Sequence, residues 1–510
     1  MLARVTSFGI CGIEAYRVEV EVDAARGMSR IAVVGLPDPA VKESLDRVRS
    51  ALVNSGYHFQ THKLTINLAP ADVRKEGPAF DLPIAIGWLA ASQQLTSTKT
   101  DAYALTGELA LDGRLRPVRG ALAMAMCCRE AGIRGLIVPA ANAEEAAVVK
   151  GVEVIPAGHL TDAVGFLAEQ TAIAPFTVDL DDLFRQEANY EVDFAEVRGQ
   201  EHAKRALTVA AAGGHNVLMI GPPGAGKTML AQRLPTILPP LTLEESLETT
   251  RVYSVSGLLS ARKALVATRP VRAPHHTISE AGLVGGGSSP RPGEVSLAHH
   301  GVLFLDELPE FERKTLEVLR QPLEDGRVTI SRALTSITYP ARFMLVAAMN
   351  PCPCGYATDP RRECRCTPRQ IQTYLARISG PLLDRIDIHL DVPTVPYREL
   401  KAHTEGADSA SMRAQVLAAR ARQTARFARA RTHVNAQMTS RLLKKHCTLT
   451  ADAETLLAEA MQSLALSARA YTKILKVART IADLDAADII HTEHVSEAIQ
   501  YRSLDRNLWA

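Results

Sequence analysis

The sequence has few of the features that mark secreted, membrane-bound or disulfide-stabilised proteins. Eight cysteines in 510 residues are too few for a disulfide scaffold. Uncharged apolar runs such as residues 82–91 are far shorter than the roughly 18 residues of a membrane-spanning helix. Glu14 and Glu19 occur before any apolar run reaches the length of a secretion signal. We therefore expect a cytoplasmic protein without a membrane partner.

The chain also lacks a dominant charge and a large aromatic content. It has 58 basic and 56 acidic residues, a formal net charge of +2, and only 5% aromatic residues. No global field therefore marks nucleic acid or a membrane as the partner, and a surface that binds such a partner must be local. The hydrophobic content of 46% and the charged content of 22% are typical of a soluble globular protein with sizeable cores.

The pattern of strand-like and helical segments divides the chain. Residues 1–175 alternate β-type runs with helical patterns, which predicts an α+β domain. Residues 176–192 contain a proline and a run of acids and read as a linker. Residues 193–395 follow a strand, loop and helix order typical of α/β nucleotide-binding folds, and residues 396–510 have helical spacing only. We predict an α/β multidomain fold with an α+β N-terminal domain and an all-helical C-terminal region.

The strongest motif is a glycine-rich loop that follows the apolar strand at residues 217–220. It matches the P-loop pattern, in which backbone N–H groups surround phosphates, a lysine reaches the β- and γ-phosphates, and a hydroxyl reaches Mg²⁺. The residues of this loop are Gly221, Pro222, Pro223, Gly224, Ala225, Gly226, Lys227 and Thr228. The motif predicts a site for ATP and Mg²⁺.

Two further apolar strands end in polar residues. One delivers Asp306 and Glu307, whose side chains point in different directions, so that Asp306 can hold Mg²⁺ and Glu307 can polarise a water molecule. The other delivers Asn350, whose amide could orient that water or touch the γ-phosphate. The alternative for Asn350 is a turn residue before Pro351.

These strings together resemble the AAA+ ATPases and, among them, the magnesium-chelatase-like ComM/YifB family. The resemblance rests on GPPGAGKT, VLFLDE, AAMN, LLDRID and SARA, and more narrowly on RAPHHTIS, RPGEVSLA and NPCPCG. It covers nearly the whole chain. It implies a P-loop AAA+ α/β core, a helical lid at residues 396–510, and a hexameric ring with ATP between neighbouring subunits.

The resemblance also assigns roles to single residues. It implies that Asn350 is sensor 1, Arg385 the arginine finger and Arg469 sensor 2, and that Val197 and Gln200 contact adenine. The residues alone leave alternatives open. Arg385 lies between two aspartates and could form an ion pair within the chain, and the segment with Val197 could be an ordinary amphipathic helix start.

The first domain resembles the proteolytic domain of Lon proteases. The matching strings are KEGPAFD at residues 75–81, TGEL at 106–109 and GRLRPV at 113–118. In that family a nucleophilic serine and a lysine occupy the positions that Ala79 and Ala123 hold here. A methyl group cannot attack a carbonyl. We therefore expect no peptidase activity, and a structural, oligomerising or DNA-contacting role for this domain.

Four of the eight cysteines lie close together in the sequence. Cys352, Cys354, Cys364 and Cys366 form a C-x-C-x9-C-x-C pattern, which offers enough thiolates for a closed tetrahedral site. The pattern predicts structural Zn²⁺ after sensor 1. Reduced free thiols or an iron–sulfur cluster are the alternatives.

Residues 326–339 form two alternating runs with a short tip, which predicts a β-hairpin. In the resembled family this hairpin points into the ring channel, and Arg332, with Arg327, would then contact DNA phosphates. The alternative is an exposed edge hairpin with solvated arginines.

The expected function is an ATP-dependent DNA motor: a hexameric helicase that promotes branch migration of branched or single-stranded DNA, threaded through the ring pore. The resemblance adds the context of natural transformation, in which incoming DNA is recombined, and recombination proteins as partners. The alternative is a magnesium-chelatase-type motor subunit that acts on a protein partner.

Overall fold

The structure is a computed structural model that describes residues 1–26, 30–58, 62–186, 190–259, 264–287, 290–331, 336–359, 361–396, 406–428, 432–464 and 466–502. The chain forms two compact units. The first consists of Met1–Glu187 with Thr242–Ala267, and the second of Ala188–Leu241 with Thr268–Ala510. Among the described residues, every helix is too short or too polar to cross a bilayer.

The first unit is built on two main sheets. One is mixed, in the order Leu2–Cys11, Glu14–Arg26, His62–Ala69 and Arg30–Val34, and its last pair is parallel. The other is parallel, in the order Tyr103–Leu105, Gly135–Pro139 and Glu153–Ala157. A small antiparallel pair joins Glu108–Leu109 to Leu115–Arg116.

Helices complete this unit and cover its sheets. Their bounds are Pro39–Asn54, Asp81–Ala91, Ala121–Glu130, Ala143–Ala147, Leu160–Leu167, Leu180–Gln186 and Leu243–Ser256, with single 3-10 turns at Pro78–Phe80 and Ala140–Asn142. The helix Asp81–Ala91 is almost entirely buried. Its apolar composition, DLPIAIGWLAA, therefore reflects burial on all sides rather than one amphipathic face.

The second unit is organised by one five-stranded parallel sheet. Its order is Val271–Arg272, Val302–Leu305, Met344–Met349, Val217–Ile220 and Ile388–Asp391. The three inner strands are fully buried. Their continuous apolar runs are typical of parallel strands that are covered on both faces.

The other elements of this unit surround the sheet. The helices are Glu201–Gly213, Lys227–Ile237, Glu280–Val284, Glu294–Leu297, Arg313–Glu317, Arg320–Asp325, Pro368–Leu375, Gly380–Leu383, Ser409–Phe427, Ser440–His446, Ala451–Ser463, Ala468–Leu484 and Thr492–Gln500. Single 3-10 turns occur at Phe194–Glu196, Leu308–Glu310 and Asn435–Gln437. Two hairpins pair Gly285–Gly286 with Arg291–Pro292 and Arg327–Ser331 with Ser336–Pro340.

The observed units differ in one respect from the predicted boundaries. The prediction assigned residues 242–267 to the ATPase core, whereas the structure groups Thr242–Ala267 with the first unit. The physical reason lies in buried contacts: Ser254 donates a hydrogen bond to Glu145, and Leu265 joins a core cluster of the first unit. The predicted boundaries after residues 175, 192 and 395, which separate the N-terminal domain, the linker, the ATPase core and the helical lid, remain a prediction.

A buried ion pair joins the C-terminal helices to the amino edge of the parallel sheet. Lys473 Nζ lies 2.9 Å from Asp387 Oδ1 and donates to the Ile386 carbonyl at 3.0 Å. His215 Nδ1 lies 3.4 Å from the other oxygen of Asp387. Burial acts to raise the pKa of the Asp387 carboxyl, but Lys473 and His215 outweigh it and hold that pKa well below its usual range.

We predict that Lys473→Met destabilises the protein by about 3–5 kcal/mol, because it leaves Asp387 as a buried charge without its cation. The folded-state pKa of Asp387 is depressed, so the pair stabilises the fold above the unfolded carboxyl pKa of about 4 and this contribution is lost as pH falls through the acid range. Thermal unfolding midpoints at neutral and acidic pH test this. The difference from the unmodified protein should narrow on acidification, and Lys444→Met, at an exposed position, is the control. Equal midpoints at neutral pH would contradict the prediction.

Candidate nucleotide-binding site

The glycine-rich loop lies between the buried strand Val217–Ile220 and the helix Lys227–Ile237. Gly224 and Gly226 adopt left-handed backbone angles, with φ of 78° and 91°, which side chains other than glycine rarely adopt. Among the described residues, no heavy atom lies within 4 Å of a Cβ built at either position. These two glycines therefore face open space at a helix N-terminus, a setting in which backbone N–H groups can bind phosphate.

Lys227 is the buried cation of this loop. Its Nζ donates to the carbonyls of Gly221 at 2.6 Å and Pro222 at 3.0 Å, and to Asn350 Oδ1 at 3.1 Å. Burial lowers the pKa of Lys227, and the nearby carboxylates Asp306 and Glu307 oppose this shift. The contact with Asn350 brings together the first and third predicted motifs.

The second acidic motif meets the loop at its helix end. Thr228 Oγ1 donates to Asp306 Oδ2 at 2.7 Å, so the two predicted magnesium ligands are adjacent. The backbone N–H of Glu307 donates to Asp306 Oδ1 at 3.0 Å. Glu307 has a left-handed φ of 53°. Its Oε2 lies 3.3 Å from His276 Nδ1, whereas the Asp306 oxygens accept from Thr228 and from the Glu307 N–H. The two carboxylates thus have different partners, and their roles as metal ligand and base remain predictions.

His276 is a site residue that the sequence analysis did not identify. Its Nδ1 lies 3.3 Å from Glu307 Oε2, and its ring packs against those of His275 and Phe311. The string RAPHHTIS follows the strand Val271–Arg272, which pairs in parallel with Val302–Leu305. Residues that follow parallel neighbours emerge at one edge of a sheet. Recognition of the short strand Val271–Arg272 as a parallel neighbour of Val302–Leu305 would therefore have predicted that His276 lies near Glu307.

The two predicted adenine contacts have different surroundings. Gln200 Nε2 donates to the Pro393 carbonyl at 2.6 Å and to the Ala225 carbonyl at 3.4 Å. Gln200 thus connects the phosphate-binding loop to the segment that follows the last strand. Val197 is buried in the core of the unit, and its contact with adenine remains a prediction.

Arg385 and Arg469 lie at the other edge of the sheet. Ile388 pairs with Val217, and the Arg385 carbonyl accepts a hydrogen bond from Asn216, which precedes the P-loop strand. The P-loop follows the same strand at its carboxyl end. The structure therefore does not bring these arginines to the P-loop of their own chain.

Arg385 forms an ion pair within its own chain, which is the alternative that the sequence left open, but its partner is Glu324 and not a neighbouring aspartate. Its Nη1 also donates to the Pro381 carbonyl at 2.5 Å, and its side chain is only 13% exposed. Asp384 instead accepts from Arg469 Nη1 at 2.9 Å. The two arginines therefore share one short stretch of surface, with the exposed one, Arg469, on the C-terminal helix Ala468–Leu484.

The four clustered cysteines converge in space. Their sulfur atoms all lie within 4.8 Å of one another, and three pairs are separated by 3.3, 3.6 and 3.7 Å. These separations exceed a disulfide bond and approach the roughly 3.8 Å between ligands of a tetrahedral zinc–thiolate site. Backbone N–H groups of Tyr356 and Arg365 lower the pKa of Cys354 to about 6. The donor set thus fits Zn²⁺, which it would hold as a closed structural site.

The cysteine loop, residues 351–366, lies directly against the nucleotide loop. Gly355 has φ of 86°, and a Cβ added there would lie 2.6 Å from Pro223 Cδ and 3.9 Å from Asn350 Cγ. Even a methyl group would therefore displace the contact. Because the two loops pack directly against each other, a change in the conformation of the cysteine loop would shift Pro223, and a shift of Pro223 would change the cysteine loop.

The predicted hairpin is present, but its predicted tip is not described. Arg327–Ser331 pairs with Ser336–Pro340 in antiparallel register, and Arg327 is exposed at its base. Arg332 lies outside the described residues. The contact of either arginine with DNA remains a prediction.

Comparison with known proteins places these features in a family. Residues 193–400 match the family described as "Magnesium chelatase, subunit ChlI", residues 20–142 match "Subunit ChlI of Mg-chelatase", and residues 406–502 match "Magnesium chelatase, subunit ChlI C-terminal". A Lon protease of Chloroflexus aurantiacus is 32% identical over 24% of this chain and 16% of its own length. This match covers only part of both proteins, and the Lon-like character of the first domain remains a prediction.

Proteins that are similar along their whole length include the following two. The protein YifB of Salmonella typhimurium is 47% identical over 99% of this chain and 98% of its own length. The competence protein ComM of Haemophilus influenzae is 45% identical over 99% of this chain and 98% of its own length. The chain therefore belongs to the ComM/YifB family of magnesium-chelatase-like AAA+ proteins.

Proposed function

We propose that the protein is an ATP-driven motor on DNA, a homo-hexameric helicase that promotes branch migration. The observation that carries this proposal is the division of the nucleotide site. Lys227, Asp306 and Asn350 meet at one edge of the sheet, whereas Arg385 and Arg469 lie at the other. A second subunit is needed to bring the arginines to the phosphates, and a closed ring supplies one at every interface.

The described side chains account for each part of ATP hydrolysis. The loop N–H groups and Lys227 hold the phosphates. Thr228 and Asp306 would hold Mg²⁺, which would supply positive charge to neutralise the phosphates. Glu307 accepts a hydrogen bond from the attacking water, while Asn350 orients it. His276 Nδ1 contacts Glu307 Oε2 and so helps to hold the Glu307 carboxylate in position. Gln200 and Val197 border the base.

The arginines complete the site in trans. Arg385 of one subunit stabilises the charge that develops on the γ-phosphate bound by its neighbour, as arginine fingers do. To do so it must leave Glu324, its partner within the chain. Arg469, which pairs with Asp384, lies on the same surface. It contacts the same nucleotide and responds to its hydrolysis. Catalysis therefore depends on the interface between subunits.

DNA is the proposed substrate of the motor. The hairpin with Arg327 and Arg332 contacts phosphates in the ring channel. Because the net charge of the chain is only +2, DNA binding needs a local basic surface, and one such hairpin per subunit provides it. The name of the Haemophilus influenzae relative, competence protein ComM, supports a role in natural transformation. The motor would then act with recombination proteins on incoming DNA.

The first unit serves as a Lon-like domain that has lost its catalytic dyad. Ala79 lies within the turn Pro78–Phe80, where its carbonyl accepts from the Gly107 N–H at 3.0 Å, and Ala123 is buried in the helix Ala121–Glu130. Neither side chain offers a nucleophile or a base. We therefore propose a structural, oligomerising or DNA-contacting role for residues 1–175, and no peptidase activity.

A second candidate is a magnesium-chelatase-type subunit that acts on a protein partner. The names of the three matched families favour it. Both candidates use the same ATP chemistry, so they differ only in what the ring moves. The four-cysteine loop and the full-length similarity to a competence protein favour DNA.

We predict that the protein separates a synthetic four-way DNA junction when ATP and Mg²⁺ are present, and that Glu307→Gln abolishes this. The substitution removes the charge that polarises water but keeps the shape of the side chain, so nucleotide binding should persist while hydrolysis falls by at least about 100-fold. Glu312→Gln, an isosteric change at an exposed position nearby, is the control. Junction products on native gels and phosphate release measure the two outcomes.

Different results separate the candidates. ATP hydrolysis that DNA does not stimulate, with an intact junction, would contradict the DNA motor and favour the chelatase-type subunit. An unchanged hydrolysis rate in Glu307→Gln would contradict the role of that carboxylate in either candidate.

We also predict about one zinc ion per chain in protein purified without chelators, since four thiolates form a closed site. Cys364→Ser removes one ligand and should abolish most of the bound zinc, whereas Cys447→Ser, outside the cluster, should keep it. Elemental analysis by mass spectrometry measures both. Bound iron with visible absorbance, or the absence of any metal in the unmodified protein, would contradict the zinc assignment.

A further inference from the structure

The surface of the cysteine loop and the helix that follows it is strongly basic. Residues 356–377 contain five arginines and two acids, in a chain whose overall charges nearly cancel. Four of the arginines, Arg361, Arg362, Arg365 and Arg369, are exposed. Neither the ATP site nor the pore hairpin includes any of them.

These four arginines are not occupied by carboxylates of their own chain. Within the described residues, none of the four lies within ion-pair distance of an Asp or Glu. Arg377, the fifth, differs because it pairs with Glu310 at 2.8 Å. Asp359, the nearest acid in sequence, accepts from the backbone N–H of Arg361. Four guanidinium groups therefore remain available for an external anion.

In the described part of the loop, the cysteine sulfurs contact one another and a backbone group: Cys352 Sγ lies 3.3 Å from Cys354 Sγ, and the Cys354 N–H donates to Cys366 Sγ at 3.4 Å. Among the described residues, no hydrogen bond joins a guanidinium group of the four arginines to one of these sulfurs. The four arginines instead lie exposed at the surface.

Local contacts position two of these groups. The four sulfur atoms converge within 4.8 Å of one another. Arg362 lies over the ring of Tyr356, 5.0 Å from its centroid, and donates to its hydroxyl at 2.7 Å. Arg369 lines a groove together with Thr367, Gln370 and Thr373, and the acid in this groove, Glu310, is paired with Arg377. Planar guanidinium groups beside hydroxyl and amide donors suit the sugar–phosphate backbone of a nucleic acid.

The position of the surface connects it to the nucleotide. Gly355 packs against Pro223 of the phosphate-binding loop and approaches Asn350. The strand Met344–Met349 has the cysteine loop at its carboxyl end, whereas the hairpin ends at Pro340, before the start of this strand. The two basic elements are therefore separated by the length of a strand, roughly 20 Å for six residues.

We propose that the cysteine loop is a second DNA-binding element, in which Arg361, Arg362, Arg365 and Arg369 contact the phosphate backbone. This inference rests on the proposed function, because DNA is the partner of the motor. It adds a contact outside the pore hairpin. Since the loop packs on Pro223, DNA held there acts directly on the nucleotide-binding loop, which couples occupancy by DNA to ATP turnover.

The test compares two variants with the same loss of charge. In the first, Arg361, Arg362, Arg365 and Arg369 are changed to Gln. In the control, exposed cations of the C-terminal helices are changed to Gln, namely Arg422, Arg441, Lys444 and Lys445. Binding of a fluorescent forked DNA is measured by anisotropy over a range of salt concentrations, with a non-hydrolysable ATP analogue present, and thermal unfolding verifies that both variants are folded.

We expect the loop variant to reduce the slope of log K against log salt by about 3, since each of the four lost phosphate contacts contributes about 0.7–0.9. The control variant should keep the slope. DNA stimulation of ATP hydrolysis should fall in the loop variant as well.

Three outcomes would overturn the inference. An unchanged slope in the loop variant shows that these arginines do not contact DNA, and an equal reduction in both variants shows a non-specific effect of charge. Binding of poly-glutamate is measured in the same way. If the loop variant loses this binding but keeps its DNA binding, the surface serves an acidic protein partner instead. If the unmodified protein binds no DNA at all, the proposed function itself fails, and this result is distinct from the other three.

Discussion

The parallel alignment of five strands is the constraint on which the rest of the ATPase unit depends. Strands that run in one direction deliver Lys227, Asp306 and Asn350 to one edge of the sheet and leave Arg385 at the other. One chain can hold the phosphates in this arrangement but cannot reach them with its own arginine. Under the proposed function, a neighbouring subunit supplies the arginine, and hydrolysis would then depend on the interface between subunits.

Two buried or packed elements support this division. At the amino edge, Asp387 and Lys473 hold the C-terminal helices beside the segment that carries Arg385. At the carboxyl edge, Gly355 seats the cysteine loop on Pro223. Under the proposed function, the first contact positions the arginines for a neighbouring site, and the second positions the loop that would receive ATP. The proposed zinc ion would stabilise the cysteine loop at this position.

Much of the site could be predicted from the sequence because its signals are local. A P-loop after an apolar strand, or a pair of carboxylates at the end of another strand, can be recognised within about ten consecutive residues. The strand before Asn350 pairs with the P-loop strand, so Asn350 and the P-loop follow neighbouring strands. The sequence did not reveal the contact of His276 with Glu307, because the preceding strand has only two residues. Nor did it reveal that Glu324 is the partner of Arg385, since 61 residues separate them.

The claim that neighbouring subunits share each ATP site is tested most directly by mixing two inactive chains. Lys227→Ala cannot hold ATP but retains Arg385, whereas Arg385→Ala retains its P-loop. In rings co-expressed at equal amounts, about one quarter of interfaces join an intact P-loop to an intact arginine, so about a quarter of the normal ATPase rate should return. Chains with both substitutions, mixed with Lys227→Ala, should stay inactive. Mixed rings that recover no activity, or full activity of Arg385→Ala alone, would contradict the account.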